Sequence, residues 1–243
     1  MNYDSSNPIL SSRNFLYAES GSVATLSGTI SRCLTLLALV FGAALVAWIN
    51  PGVTISAICS KLILFLILGF ITGFVTCIKK EWSRVTAPLY AIFEGLVLGS
   101  VSRLLDHVYP GIAFQAIALT FGVAFGMLVL YRAGIVQVTD RFRMIIGSAM
   151  FGIAMFHLIS WILPFFGVAD PLMHSSGLFG ILFSVFVVAI AALYLVINFD
   201  FIVKISDRGI PSYMSWYAAF GLMVALIWLY VELLTLLARL RDR

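Results

Sequence analysis

Charge is scarce in this chain: Asp, Glu, Lys and Arg make up 11% of its 243 residues, less than half of the roughly 25% found in soluble domains. That excludes an ordinary soluble globular protein. The net charge of +4 does not point to nucleic acid, because the basic residues are spread thinly rather than gathered into a patch. Anionic lipid head groups are the expected counterpart. Cysteine is sparse too. Cys33, Cys59 and Cys77 lie in or beside apolar runs, are odd in number and lack metal-ligand spacing, which argues against a disulfide framework or a thiolate metal centre. Of the three histidines only His157 lies well inside an apolar run, so the two axial ligands of a b-type haem are lacking.

Catalytic signatures are missing as well. Gly147-Ser148-Ala149 lacks the glycine that follows the nucleophile in rhomboid proteases, and there is no Gly-x-Gly-Asp and no His-Glu-x-x-His. Ser148 and His157 are nine residues apart on one helix, a rise of about 13 Å, so they cannot share a proton directly. No phosphate-binding glycine loop suggests an ATP-driven pump. The expectation is a protein that is not an enzyme and holds no cofactor.

Hydrophobic residues are abundant, at 62% with a mean hydropathy of +1.07. They run in blocks of about 20, the length that crosses roughly 30 Å of hydrocarbon at 1.5 Å per residue. Seven spans are predicted, at 34–50, 59–78, 86–105, 111–131, 144–166, 177–198 and 215–237. With no period-two alternation to suggest a barrel, each is expected to be helical. The fold class is therefore all-α, a polytopic bundle of seven transmembrane helices. The first 33 residues are polar and lack a basic n-region leading into a short apolar core, so residues 1–33 read as an N-terminal arm rather than a cleavable signal. Residues 34–243 form the transmembrane domain.

With the N-terminus in the cytoplasm, the inner side holds Arg13, Arg32, Lys79, Lys80, Arg84, Arg132, Arg141, Arg143, Lys204 and Arg208, and the outer loops only Lys61 and Arg103. That bias fits the rule that basic residues stay inside. Seven spans then put Arg239, Arg241 and Arg243 outside, a local violation. Either one span is miscounted or the short tail is tolerated.

Polar groups within the spans carry the functional leads, because a charge in hydrocarbon costs at least a few kcal/mol. Glu94 sits in the middle of an apolar segment. One reading is a carboxylate lining a water or ion path; the other is a protonated carboxyl that only holds helices together. Gly95 and Gly99 follow with small-xxx-small spacing, which lets another helix approach closely. His157 is either a neutral imidazole bonded within the bundle or a contributor to pH sensing. Asn198 and Asp200 close the sixth span about 200° apart around the helix, so they face different partners. Asp200 then stands at the inner edge, either solvated or functional. Glu232, in the last span, must turn inward or pair.

The segment Pro88 to Gly99 (PLYAIFEGLVLG) resembles the third-helix signature of the Bax inhibitor family, the transmembrane Bax inhibitor motif proteins, in its bacterial branch. Asn198 to Ile202 (NFDFI), Ala225 to Glu232 (ALIWLYVE) and Asn7 to Ser11 (NPILS) are similar to other segments of the same family, in order along nearly the whole chain. The resemblance implies a bundle whose last helix is central and a passive, pH-dependent Ca²⁺ leak through the bacterial cytoplasmic membrane. It also implies a proton-sharing acid pair on helices six and seven. The matching positions are Asp200 and Glu232, with Asn198 as the other candidate on helix six. Ca²⁺ prefers several oxygen ligands, which Glu94, Asp200 and Glu232 offer along a path. Two carboxyls at close range cannot both ionise cheaply, so they share a proton and can couple it to helix packing. A non-conducting partner of another membrane complex and a proton-coupled transporter are the alternatives.

Overall fold

The computed structural model describes residues 23–49, 55–166 and 177–242. Most of the polar arm, with Asn7 to Ser11 and Arg13, lies outside them, as do His174 and Arg243. Seven α-helices follow one another: α1 (Leu26–Ile49), α2 (Ile55–Ile78), α3 (Ser83–Val108), α4 (Ile112–Arg132), α5 (Asp140–Ile162), α6 (Leu178–Asp207) and α7 (Tyr213–Arg241). Six are long and apolar enough to cross a membrane, and the described apolar part of α2 is Leu62–Ile78. No β-strand occurs among the described residues. Each predicted span corresponds to one helix, so the protein is an all-α polytopic membrane protein.

The helices outrun the spans at several ends, because a transmembrane helix continues past the hydrocarbon until its backbone reaches water. α1 begins at Leu26, so residues 26–33 belong to it rather than to the arm. α2 begins at Ile55, which puts Lys61 inside a helix and not in a loop. The largest difference is in α6, which continues to Asp207. Asn198 and Asp200 therefore do not close it, and both are buried.

The chain packs as two units, Met1–Ser100 with Asp200–Met223, and Val101–Phe199 with Val224–Arg243; α3, α6 and α7 contribute to both. Burial is unequal: half of the most apolar stretch of α6 and of α7 is buried, against 11–22% for α1, α4 and α5. The last helix thus shares the deepest burial with the sixth. The poorly buried helices turn large apolar side chains outward, such as Phe114, Phe125, Met144 and Phe151, the inverse of a soluble protein and the pattern lipid demands.

The first unit is knitted at the start of α7. Arg32 donates to the Ser212 carbonyl at 3.1 Å, the Ser83 hydroxyl donates to the Tyr213 carbonyl at 3.0 Å, and the Ala24 N–H bonds the Ile210 carbonyl at 2.8 Å. In the second unit the lower half of α7 presents two faces. Tyr230, Leu234, Leu237 and Ala238 pack with Leu105 of α3, Tyr109 and Ile112 and Ala116 of α4. Trp228 packs against the cluster built from Ile146 and Ile153 of α5 and Val187 and Ile190 of α6.

Candidate functional site

Glu94 lies eleven residues into α3, about 17 Å from its start by helical rise, which is mid-depth for a membrane helix. Its neighbours face different partners. A Cβ placed on Gly95 or Gly99 would run into the backbone of α1, at the carbonyls of Val40 and Ala44. The two glycines thus bring α3 against α1 at backbone distance, as the small-xxx-small spacing predicts. Glu94 itself turns to α2: a Cβ on Gly69 would stand 3.4 Å from its Oε2, and one on Gly73 would stand 3.1 Å from the Tyr90 ring. The Tyr90 ring in turn meets Phe220 of α7 edge-on at 5.2 Å. One turn further along, the hydroxyls of Thr76 and Thr86, both buried, bond at 2.7 Å. Glu94 is therefore half-buried against a glycine of a neighbouring helix. Gly69 and Gly73 are part of this site although the sequence reading passed over them; their four-residue spacing is the signal that marks them.

The second unit holds a cavity of about 590 Å³ between α5, α6 and α7. Its polar lining from α7 is Trp228, Glu232, Thr235 and Arg239, spaced i, i+4, i+7, i+11 and so on one helix face. The Trp228 indole donates to Glu232 Oε1 at 3.1 Å. His157 of α5 brings its Nε2 to 3.9 Å from the same oxygen, with side-chain exposures of 36% for His157 and 10% for Glu232. The other ring nitrogen, Nδ1, lies 2.9 Å from the Ile153 carbonyl. A carbonyl only accepts, so Nδ1 carries a hydrogen and Nε2 is the ring nitrogen that faces Glu232. Arg239 donates to the Gly180 carbonyl and the Ser184 hydroxyl, each at 2.7 Å. Arg241 donates to the Pro110 carbonyl and Gln115. Arg239 and Arg241, two of the three C-terminal arginines expected to break the charge bias, are thus engaged by hydrogen bonds at their own end of the unit.

Asp200 pairs with Lys204 one turn away at 2.8 Å, and the Asn198 amide donates to the Tyr194 carbonyl at 2.9 Å. Each side chain thus has a partner on its own helix. α7 is unbroken from Tyr213, and Ser215, Ala218 and Ala219 in its first turns are buried. Counted along the helices, Asp200 is seven residues from the end of α6 and Glu232 nineteen from the start of α7, rises of about 10 and 28 Å. Among the described residues no three His, Cys, Asp or Glu side chains gather as a metal ion requires. Glu232 stands beside His157 and on one helix face with Arg239.

Seven apolar helices with carboxylates held inside the protein define a multi-pass membrane protein whose polar chemistry is intramembrane. The chain belongs to the Bax inhibitor 1 like family, whose model matches residues 7–242. No curated protein and no solved structure matches it.

Proposed function

We propose that the protein is a passive, pH-sensitive leak path for Ca²⁺ across the bacterial cytoplasmic membrane, with its N-terminus inside. Glu94 lines the path, and the buried carboxylates Asp200 and Glu232 respond to protons. The observation that carries this reading is Glu94: a carboxylate at mid-depth, turned to a glycine of α2 instead of to lipid. A hard cation crossing hydrocarbon needs oxygen ligands to offset its dehydration, and an acid at that depth is usually there for a path, a partner or a relay. Membership of the Bax inhibitor 1 like family supports the same reading.

The pH response has a physical basis in the second unit. With one proton shared between Glu232 and His157 the pair is net neutral, a second proton makes it +1, and loss of the proton makes it −1. Each change alters the charge on the face of α7 that also carries Arg239, and so biases how α5, α6 and α7 pack around the cavity. Asp200, paired with Lys204 in the first unit, is the second proton-responsive group. In liposomes loaded with a Ca²⁺ dye, influx should follow the gradient without ATP or a counter-ion, and Glu94→Gln should reduce it at least tenfold. A wild-type protein silent at every pH would overturn the assignment and favour a non-conducting partner protein.

A further inference from the structure

One feature of the first unit is used by neither the proposed path nor the proton-responsive groups. Four cations gather at this end of the first unit, Arg32 of α1, Lys79 and Lys80 at the α2–α3 turn, and Arg84 of α3, and two of them, Arg32 and Lys80, meet the start of α7. Arg32 holds the Ser212 carbonyl and lies 5.6 Å from the Trp216 ring. Lys80 lies 5.2 Å from the Tyr217 ring and Lys79 4.5 Å from the Trp82 ring. Arg84 follows Ser83, whose hydroxyl bonds the Tyr213 carbonyl next to the Ser212 carbonyl that Arg32 holds. Among the described residues none of these four cations pairs with a carboxylate.

Gathered like charges repel one another, Glu81 of the same turn forms no ion pair with them among the described residues, and a bound anion would offset the repulsion. Aromatic rings fix the cations in place, since a cation over a ring face is attracted to it. Trp and Tyr at a helix end also mark head-group depth in a bilayer. An arginine fork and an ammonium together match a phosphate, the fork by paired hydrogen bonds and the ammonium as a point charge. In the proposed orientation this end faces the cytoplasmic leaflet, where anionic lipid is expected.

We propose that Arg32, Lys79, Lys80 and Arg84, framed by Trp82, Trp216 and Tyr217, form a binding site for the phosphate of an anionic phospholipid. A diffuse attraction would give every inner-side cation an equal share. A built site concentrates the effect on these four.

The test is native mass spectrometry of the full chain released from nanodiscs of phosphatidylglycerol mixed with phosphatidylcholine. The expected result is a retained phosphatidylglycerol adduct that falls at least fivefold in Arg32→Gln and in Arg84→Gln, but less than twofold in Arg132→Gln or Arg141→Gln, inner-side cations of the second unit. Lys79→Gln with Lys80→Gln, at an exposed turn and least disruptive to folding, should give the same loss. Equal losses from all the variants would overturn the site in favour of diffuse attraction. Displacement of the lipid by millimolar glycerol phosphate would assign the site to a free phosphate and overturn the lipid.

Discussion

Glu94, Glu232 and Asp200 are all acids within long apolar helices, yet the structure gives each a different neighbourhood. Glu94 was legible from composition alone, since a lone acid in an apolar run stands out in any reading. Its contact with Gly69 was not, because nothing in the order of residues says which helix lies beside α3. The pairing of His157 with Glu232 was equally hidden: 75 positions separate them, and no spacing rule links residues on different helices. Trp228 and Glu232, four apart on one helix, could have been paired from sequence by the i, i+4 rule. At this scale the account predicts that His157→Gln moves the pH midpoint of Ca²⁺ flux by half a unit or more while maximal flux stays within about twofold, since an ionic neighbour shifts a titration by roughly one unit or more. An unchanged pH profile would remove His157 from the response.

Helix packing gives sharper expectations. Gly95 and Gly99 admit the backbone of α1, so a side chain at either forces two helices apart. Gly99→Val should destabilise the fold by about 2 kcal/mol or more, in line with overpacked cores, measured as loss of thermal stability in detergent. Gly122→Val on α4, where a Cβ would meet nothing within 4 Å, should be neutral by the same measure. The spacing of these glycines announced a close contact in the sequence but left α1 unnamed as its partner. The end of α6 was misplaced for a related reason: a charge near the end of an apolar run looks like a boundary, whereas Asp200 is neutralised by Lys204 and the helix runs on.

The C-terminal tail is an element of its own. The Tyr109 hydroxyl bonds the Asp242 carboxylate, and that bond holds the phenol above its usual value. A group raised in the folded state contributes fully below its unfolded value, about 10 for tyrosine, and is lost as pH climbs through the folded one. Hydrogen exchange at residues 238–242 should therefore accelerate at strongly alkaline pH, and Tyr109→Phe should accelerate it already at neutral pH. Identical exchange in the variant would mean the bond does not hold the tail.

For the whole molecule, the seven helices and the membrane class were legible because lipid imposes one rule on every span, an apolar helix of about 20 residues. Which helices carry the burial was less so; hydropathy does not separate the half-buried α7 from the lipid-facing α1 and α4. Under the proposed orientation Arg239 and Arg241 stand outside, where their hydrogen bonds reduce the cost of breaking the charge bias. Cysteine-accessibility labelling at Ser6 and at Asp242 in intact cells should find only the second reactive from outside.

Calcium flux into dye-loaded liposomes, recorded across a pH series for the wild type and Glu94→Gln side by side, tests the central claim most directly. The account predicts a gradient-driven, pH-dependent signal in the wild type and at least a tenfold loss in a folded Glu94→Gln variant. Flux of equal size in the two would contradict it.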